Sequence, residues 1–128
     1  MEKSVLIIDD DKWIVMSTQM WLESEGFKVM TALTGADGQQ TAKAGRPSII
    51  LLDIMMPGID GWETLERLKS DPATADIPVI IFTGRESQQG ESKSKEMGAV
   101  AYLRKPFRPE LIVETIRAAI EARAAVAH

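Results

Sequence analysis

Short apolar runs alternate with longer amphipathic stretches along this 128-residue chain. Runs of a few apolar and β-branched residues, bounded by charged or turn residues, are typical of strands that are buried on both faces. The sequence places such runs at Val5 to Ile8, Phe27 to Leu33, Ser48 to Leu52, Val79 to Phe82 and Val100 to Leu103. The sequence therefore predicts five buried strands.

The segments between and after the strands carry apolar residues at helical spacing, which predicts one helix after each strand. These helices are expected at residues 11–25, 34–43, about 61–70, 87–97 and from 109 onward. In the first helix the apolar residues Ile14, Val15, Met20, Trp21 and Leu22 recur at roughly helical spacing. The last helix carries Leu111, Ile112, Thr115, Ile116, Ala119 and Ile120 on one stripe. The alanine-rich residues from Glu121 to His128 are expected to fray.

Strictly alternating strands and helices predict an α/β domain, a doubly wound parallel sheet with helices on both faces. A chain of 128 residues is large enough to form one such domain around a continuous core. Ligands of these sheets bind beyond the carboxyl ends of the strands. Residues at those ends are therefore the first candidates for a functional site.

Composition narrows the function classes. The chain has no cysteine, which excludes disulfides, thiolate zinc sites and cysteine catalysis. A net charge of −4 and the lack of a basic stripe argue against direct nucleic acid binding. No apolar run approaches the ~18 residues of a membrane span, and the first residues do not resemble a signal peptide. We therefore expect a cytoplasmic protein that does not bind a membrane.

Charged residues come directly after three of the predicted strands. Asp9 and Asp10 follow the first, Asp53 follows the third and Lys105 follows the fifth. Carboxyl ends of parallel strands share one edge, so these side chains are expected to lie together. Two carboxylates about 4 Å apart repel by roughly 4 kcal/mol at an effective dielectric constant near 20. The cluster therefore needs a counter-charge.

A divalent cation is the expected counter-charge. Oxygen ligands with no histidine or cysteine beside them favour Mg²⁺, and no loop of alternating acidic ligands favours Ca²⁺. With the cation bound, one carboxylate can attack an activated phosphoryl group, and Asp53 on the central strand is the best candidate. Lys105 would offset charge on the transferred oxygens, and Thr83 at the end of the fourth strand would donate a hydroxyl.

Simpler structural roles remain open for single residues. An aspartate between a strand and a helix is most often a helix N-cap, which is the preferred interpretation of Asp11. Lys105 with Pro106 alone could form a surface turn, and Tyr102 alone could be an edge aromatic. Three acids, a lysine and a threonine at strand ends together are much harder to explain as caps.

Four motifs occur in order along the chain, at Ile7 to Asp11, Leu52 to Gly61, Phe82 to Thr83 and Tyr102 to Phe107. With them the chain resembles, over essentially its whole length, the receiver domain of two-component response regulators. The resemblance implies a flavodoxin-like fold with five helices and the strand order 2-1-3-4-5. It further implies a receiver domain over residues 1–121, followed by an alanine-rich tail at 122–128.

The resemblance also implies roles for the acidic residues. Asp53 would be phosphorylated by a sensor histidine kinase or a phosphotransfer protein. Asp9 and Asp10 would bind Mg²⁺ together with Asp53 and the backbone carbonyl of Met55. The expected function is a phosphorylation-dependent signalling switch that catalyses only its own phosphorylation and dephosphorylation.

The same resemblance assigns the response to phosphorylation. Thr83 and Lys105 would contact the phosphoryl group, Tyr102 would change rotamer as Thr83 moves, and the bond from Lys105 to Pro106 would be cis. The added charge of roughly −1.5 to −2 would shift the equilibrium between two conformations of one surface. That surface is formed by the fourth helix, the fifth strand and the fifth helix. The protein is expected to be a monomer or a phosphorylation-dependent dimer, with no output domain in this chain.

Two features depart from the usual pattern. The helix at 87–97 has Met97 as its only obvious apolar anchor, so it is expected to be marginal and mobile unless lysine stems cover the sheet. Met55 and Arg85 lie two residues beyond Asp53 and Thr83. In the family that the chain resembles, these positions flank the path of the water that hydrolyses the acyl phosphate. An apolar Met55 cannot orient water and Arg85 could cover the phosphoryl group, so slow phosphate loss is expected.

Three other functions agree less well with the sequence than the switch does. A Mg²⁺-dependent phosphatase with an aspartyl nucleophile would need a second aspartate where the chain has Met55. A flavin-binding electron carrier would need a phosphate-binding loop after the first strand, where the chain has acids. A receiver-like scaffold that no longer takes phosphate conflicts with the full set of site residues.

Overall fold

The computed structural model describes residues 3–54, 61–84, 88–105 and 108–127. Its strands are β1 Ser4–Ile8, β2 Lys28–Ala32, β3 Ile49–Asp53, β4 Val79–Thr83 and β5 Ala101–Arg104. Its helices are α1 Lys12–Ser24, α2 Gly35–Gly45, α3 Gly61–Ser70, α4 Gln88–Glu96 and α5 Pro109–Ala127. All ten predicted elements are present, and their ends differ by a few residues from those expected.

The five strands form one parallel sheet in the order β2-β1-β3-β4-β5, which confirms the predicted fold class. The register places Ile8 beside Leu52 and Asp53 beside Phe82. On the next pair of strands Thr83 lies beside Arg104. The carboxyl ends of β1, β3, β4 and β5 therefore line one edge of the sheet.

Two apolar layers cover the sheet. Residues such as Leu6 and Ile81 pack on one face against α2 and α3. The alternate residues, such as Ile7 and Phe82, pack on the other face against α1 and α5. The central strands β3 and β4 are buried along their whole length, as expected for a parallel sheet that helices cover on both sides.

The structure shows which of the apolar residues in α1 and α5 are buried. In α1, Met20 is 66% exposed and Trp21 is 36% exposed, whereas Val15, Thr18 and Leu22 are buried. Apolar residues occur on several sides of α1, so periodicity alone did not identify the side that packs on the sheet. In α5, Leu111 is exposed, and Val113 is buried in its place.

Helix α5 continues through Ala127, so the alanine-rich residues up to Ala127 are part of the last helix. Alanine has the highest intrinsic helix propensity, which explains the continuation. Among the described residues, no helix combines the length and apolarity needed to cross a membrane.

Candidate functional site

Three carboxylates meet at the carboxyl edge of the sheet. Asp53 is the last residue of β3, and Asp9 and Asp10 follow β1. One carboxylate oxygen from each residue lies within 4.8 Å of the other two. Asp9 is fully buried and Asp53 is 3% exposed, whereas Asp10 is open to solvent. The structure thus brings together the three acids that the sequence singled out.

Backbone and side-chain donors fix Asp9. Its Oδ1 accepts a hydrogen bond from the Asp11 backbone N–H at 3.0 Å, and its own N–H donates to the Ala32 carbonyl at 3.1 Å. The Asp11 side chain caps α1 by accepting from the N–H groups of Trp13 and Ile14. The N-cap interpretation of Asp11 is therefore confirmed. The cap fixes the turn that aims Asp9 into the cluster.

Lys105 supplies the counter-charge within the protein. Its Nζ lies 2.8 Å from Asp9 Oδ2 and 3.5 Å from Asp53 Oδ2. The Lys105 backbone N–H donates to the Thr83 carbonyl at 2.7 Å, which fixes the start of this side chain beside β4. Among the described residues, one ammonium beside three carboxylates leaves an excess of negative charge. The candidate ligands that these residues offer are carboxylate oxygens, so the donor set fits Mg²⁺.

Thr83 and Tyr102 lie on the sheet face that packs against α2 and α3. Thr83 is fully buried at the end of β4, two residues after Ile81 on the same side of the strand. Tyr102 is half-buried, packs against the apolar layer of this face and is in register with Ile81. The two candidate switch residues are therefore close neighbours on one face.

Three predicted features fall outside the described residues. These are the Met55 carbonyl as a metal ligand, Arg85 as a cover of the phosphoryl group, and the cis bond before Pro106. Each stays a prediction from the sequence.

The sequence pattern did not indicate Phe82 as a site residue. Its ring centroid lies 4.7 Å from Lys105 Nζ. Phe82 and Asp53 are in register on neighbouring strands, so their side chains leave the same face of the sheet. Counting alternate residues from the strand ends could have found this pairing once the strand order was known.

Gly61 was also missed. A Cβ atom at this position would lie 2.0 Å from Ile54 Cα and 2.6 Å from the Asp53 carbonyl oxygen. The Gly61 N–H donates to the Ile54 carbonyl at 3.2 Å. Only glycine permits this close approach, which ties the start of α3 to the peptide that carries Asp53.

Comparison with known proteins gives the family. A family model for the response regulator receiver domain matches residues 5–117. The chain belongs to this family. It is therefore a receiver domain of the two-component systems, a signalling switch rather than a conventional enzyme. The predicted family is thereby confirmed.

Two relatives show the range of proteins that carry this domain. Protein PilH of Pseudomonas aeruginosa is 35% identical over 116 residues, which cover 91% of this chain and 96% of PilH. The transcriptional regulator RpaA of Synechocystis is 40% identical over 114 residues, which cover 89% of this chain and 47% of RpaA. The chain thus spans nearly all of one relative and about half of the other.

Solved structures agree with the fold. A CheY-like receiver domain from Methanospirillum hungatei has a TM-score of 0.91 and 31% identity, and the match covers 98% of both chains. Chemotaxis protein CheY4 of Vibrio cholerae has a TM-score of 0.87 and 27% identity, over 92% of this chain and 98% of CheY4.

Proposed function

We propose that this receiver domain accepts a phosphoryl group on Asp53 from the phosphohistidine of a sensor histidine kinase or a phosphotransfer protein. The observation that carries the proposal is the position of Asp53, buried at the sheet edge with two other carboxylates and 3.5 Å from the Lys105 ammonium. Burial protects an acyl phosphate from water, and the nearby cation offsets the charge that the transfer brings in.

The transfer forms a bond between phosphorus and a carboxylate oxygen of Asp53, and the bond from phosphorus to the donor imidazole nitrogen breaks. The imidazole leaves with that electron pair. Asp9, Asp10, Asp53 and the Met55 carbonyl would hold Mg²⁺, which when bound neutralises charge on the phosphoryl oxygens. Lys105 offers a second positive charge to those oxygens.

Thr83 and Tyr102 are the proposed reporters of phosphorylation. A phosphoryl group adds roughly −1.5 to −2 charge and three acceptor oxygens, by analogy with other phosphorylated side chains. The Thr83 hydroxyl moves toward those oxygens, and Tyr102 then changes rotamer because it packs on the same face. The equilibrium between two conformations of the surface formed by α4, β5 and α5 then shifts, and a target protein binds one of them.

An apolar stripe on α1 supports a protein as the phosphodonor. Trp13 is 79% exposed, Met16 is 51% exposed and Met20 is 66% exposed. Their spacing places all three on one side of the helix. The stripe begins two residues after Asp11, whose N–H binds Asp9, so it adjoins the acceptor pocket. A donor that packs an apolar helix against this stripe would bring its phosphohistidine to the same edge.

The phosphatase alternative is disfavoured because Met55 occupies the position where such an enzyme needs a second aspartate. We further propose that residues 1–121 form the functional receiver unit, with 122–128 as a tail, and that the domain acts in the cytoplasm. We also propose that the domain is a monomer or a phosphorylation-dependent dimer and that it binds neither nucleic acid nor a membrane directly.

Capture of beryllium trifluoride, which stands in for the phosphoryl group on a carboxylate, tests the function. We expect fluorine NMR to show binding that requires Mg²⁺ and is abolished by Asp53→Asn. Asp37→Asn, which removes an exposed acid from the first turn of α2, should bind normally. Wild-type protein that captures no beryllium trifluoride would identify the chain as a scaffold that no longer accepts phosphate.

A further inference from the structure

The side chain of Lys105 reaches the acidic cluster across the ring of Phe82. Strands β1, β3, β4 and β5 are consecutive in the sheet, and Phe82 on β4 separates Asp53 on β3 from the chain that leaves β5. Lys105 Nζ lies 4.7 Å from the Phe82 ring centroid and 2.8 Å from Asp9 Oδ2. The ring and the carboxylate therefore hold the ammonium at the same time.

Burial strengthens this contact. The Phe82 residue is 1% exposed, and the Lys105 side chain is 16% exposed. The face of an aromatic ring carries partial negative charge, which attracts an ammonium more strongly where water is excluded. Phe82 thus lowers the free energy of the Lys105 conformation that is paired with Asp9.

That conformation competes with a divalent cation. Asp9 Oδ2 is already occupied by the Lys105 ammonium, and Asp9 belongs to the three-carboxylate cluster that fits Mg²⁺. A cation that takes this cluster must displace the ammonium or share Asp9 with it, at the cost of repulsion between like charges. Whatever stabilises the pair of Lys105 with Asp9 therefore weakens binding of the cation.

We infer that Phe82 is a positioning residue that acts through Lys105 to lower the Mg²⁺ affinity of the acceptor pocket. The role rests on the proposed function, because the pocket is taken as a Mg²⁺ site. A receiver whose metal ligand Asp9 is partly occupied by an internal ammonium would respond to Mg²⁺ and phosphodonor together. The Phe82 ring determines how strongly Lys105 competes with Mg²⁺.

Calorimetric titration with Mg²⁺ alone tests this role. We expect Phe82→Leu to tighten Mg²⁺ binding by about threefold to thirtyfold, the range that a partly buried cation over a ring represents. Replacement of Phe82 by a trifluorinated phenylalanine keeps the ring and its packing but removes most of the negative charge on its face. This variant should tighten Mg²⁺ binding in the same direction, which a purely structural role would not do.

Two further variants complete the comparison. Ile80→Val removes a buried methyl group from the same strand and the same apolar layer, and it should leave Mg²⁺ affinity unchanged. In a Lys105→Met background, Phe82→Leu should lose its effect, because the ring then has no ammonium to hold. An effect of equal size in both backgrounds would assign the change to packing and overturn the role of Phe82.

The outcomes separate the role of Phe82 from the proposed function. Wild-type protein that captures beryllium trifluoride at Asp53, with variants whose Mg²⁺ affinity is unchanged or weaker, would overturn the role of Phe82 alone. Wild-type protein whose Mg²⁺ binding is absent or indifferent to Asp53→Asn would overturn the proposed function and the role of Phe82 with it.

Discussion

The ammonium nitrogen of Lys93 on α4 lies 4.6 Å from the centroid of the Trp62 ring at the start of α3. Trp62 is half-buried and packs against the apolar layer beneath α2 and α3. Ser94, the neighbour of Lys93, is buried and donates its hydroxyl to the Glu91 carbonyl at 2.8 Å. A lysine on an aromatic face thus supplies part of the attachment that aliphatic residues would normally give.

We predict that α4 remains the less stable helix despite this contact. Amide hydrogen exchange at 88–96 should be at least about tenfold faster than in the buried part of α5, because few apolar side chains anchor α4. Lys93→Gln should accelerate exchange in α4 by a further factor of about two to five, the value of an exposed cation over a ring. Lys95→Gln is the control on the same helix. Exchange in α4 no faster than in α5 would refute the prediction.

The lifetime of the acyl phosphate is predicted to be long. The apolar Met55 side chain is not expected to orient water, and Arg85 is expected to cover the phosphoryl oxygens with positive charge. Met55→Asn should therefore speed phosphate loss several-fold, and Arg85→Ala should act in the same direction. Decay is measured after the phosphodonor is removed, and the rate of phosphorylation is measured in parallel. An unchanged decay rate in Met55→Asn would contradict this explanation.

The α1 stripe predicts a difference between protein and small-molecule phosphodonors. Trp13→Ala removes the most exposed side chain of the stripe, so transfer from the cognate kinase or phosphotransfer protein should slow about tenfold or more. Phosphorylation by acetyl phosphate should not change, because a small donor needs no docking surface. Val100→Ala, which truncates an exposed apolar residue just before β5 at the opposite edge, is the control. Equal slowing with both donors would place Trp13 in the chemistry instead.

Acid should destabilise the domain through Asp76. Its carboxylate accepts hydrogen bonds from Arg46 at 3.1 Å and from Arg123 at 2.7 Å, which links the end of α2 to α5. The Arg46 hydrogen bond, aided by the charges of both arginines, holds the pKa of Asp76 below its ordinary value although partial burial opposes this.

The sign of the pH effect follows from that shift. As pH falls below about 5, the unfolded chain binds a proton at Asp76 before the folded protein does. The stabilisation that the ionised Asp76 gives is therefore complete above the pKa of the unfolded chain. It is lost as pH falls through the lowered pKa of the folded protein. Asp76→Asn should lower the free energy of unfolding by about 1 kcal/mol or less near pH 7, because the groups are exposed. In strong acid the substitution should change it little. Urea unfolding at several pH values measures the difference, and a constant difference would contradict the prediction.

The sequence by itself determined the order of elements, the buried strands and the acids that follow them. The apolar runs in β1, β3 and β4 require the interior of a sheet, because strands this apolar must be covered on both faces. Asp9, Asp53 and Lys105 then had to reach one edge, since parallel strands end together. This is why the carboxylate cluster could be predicted before the structure was known.

Only the tertiary structure decided which side of an amphipathic helix is buried and where long side chains rest. Helix α1 carries apolar residues on several sides, and packing against the sheet buried Val15 and left Trp13 exposed. The contact of Lys105 with Phe82, in which Nζ lies 4.7 Å from the ring centroid, joins the residue that follows β5 to a residue of β4. A local pattern carries no information about such neighbours, because strand order and register bring them together.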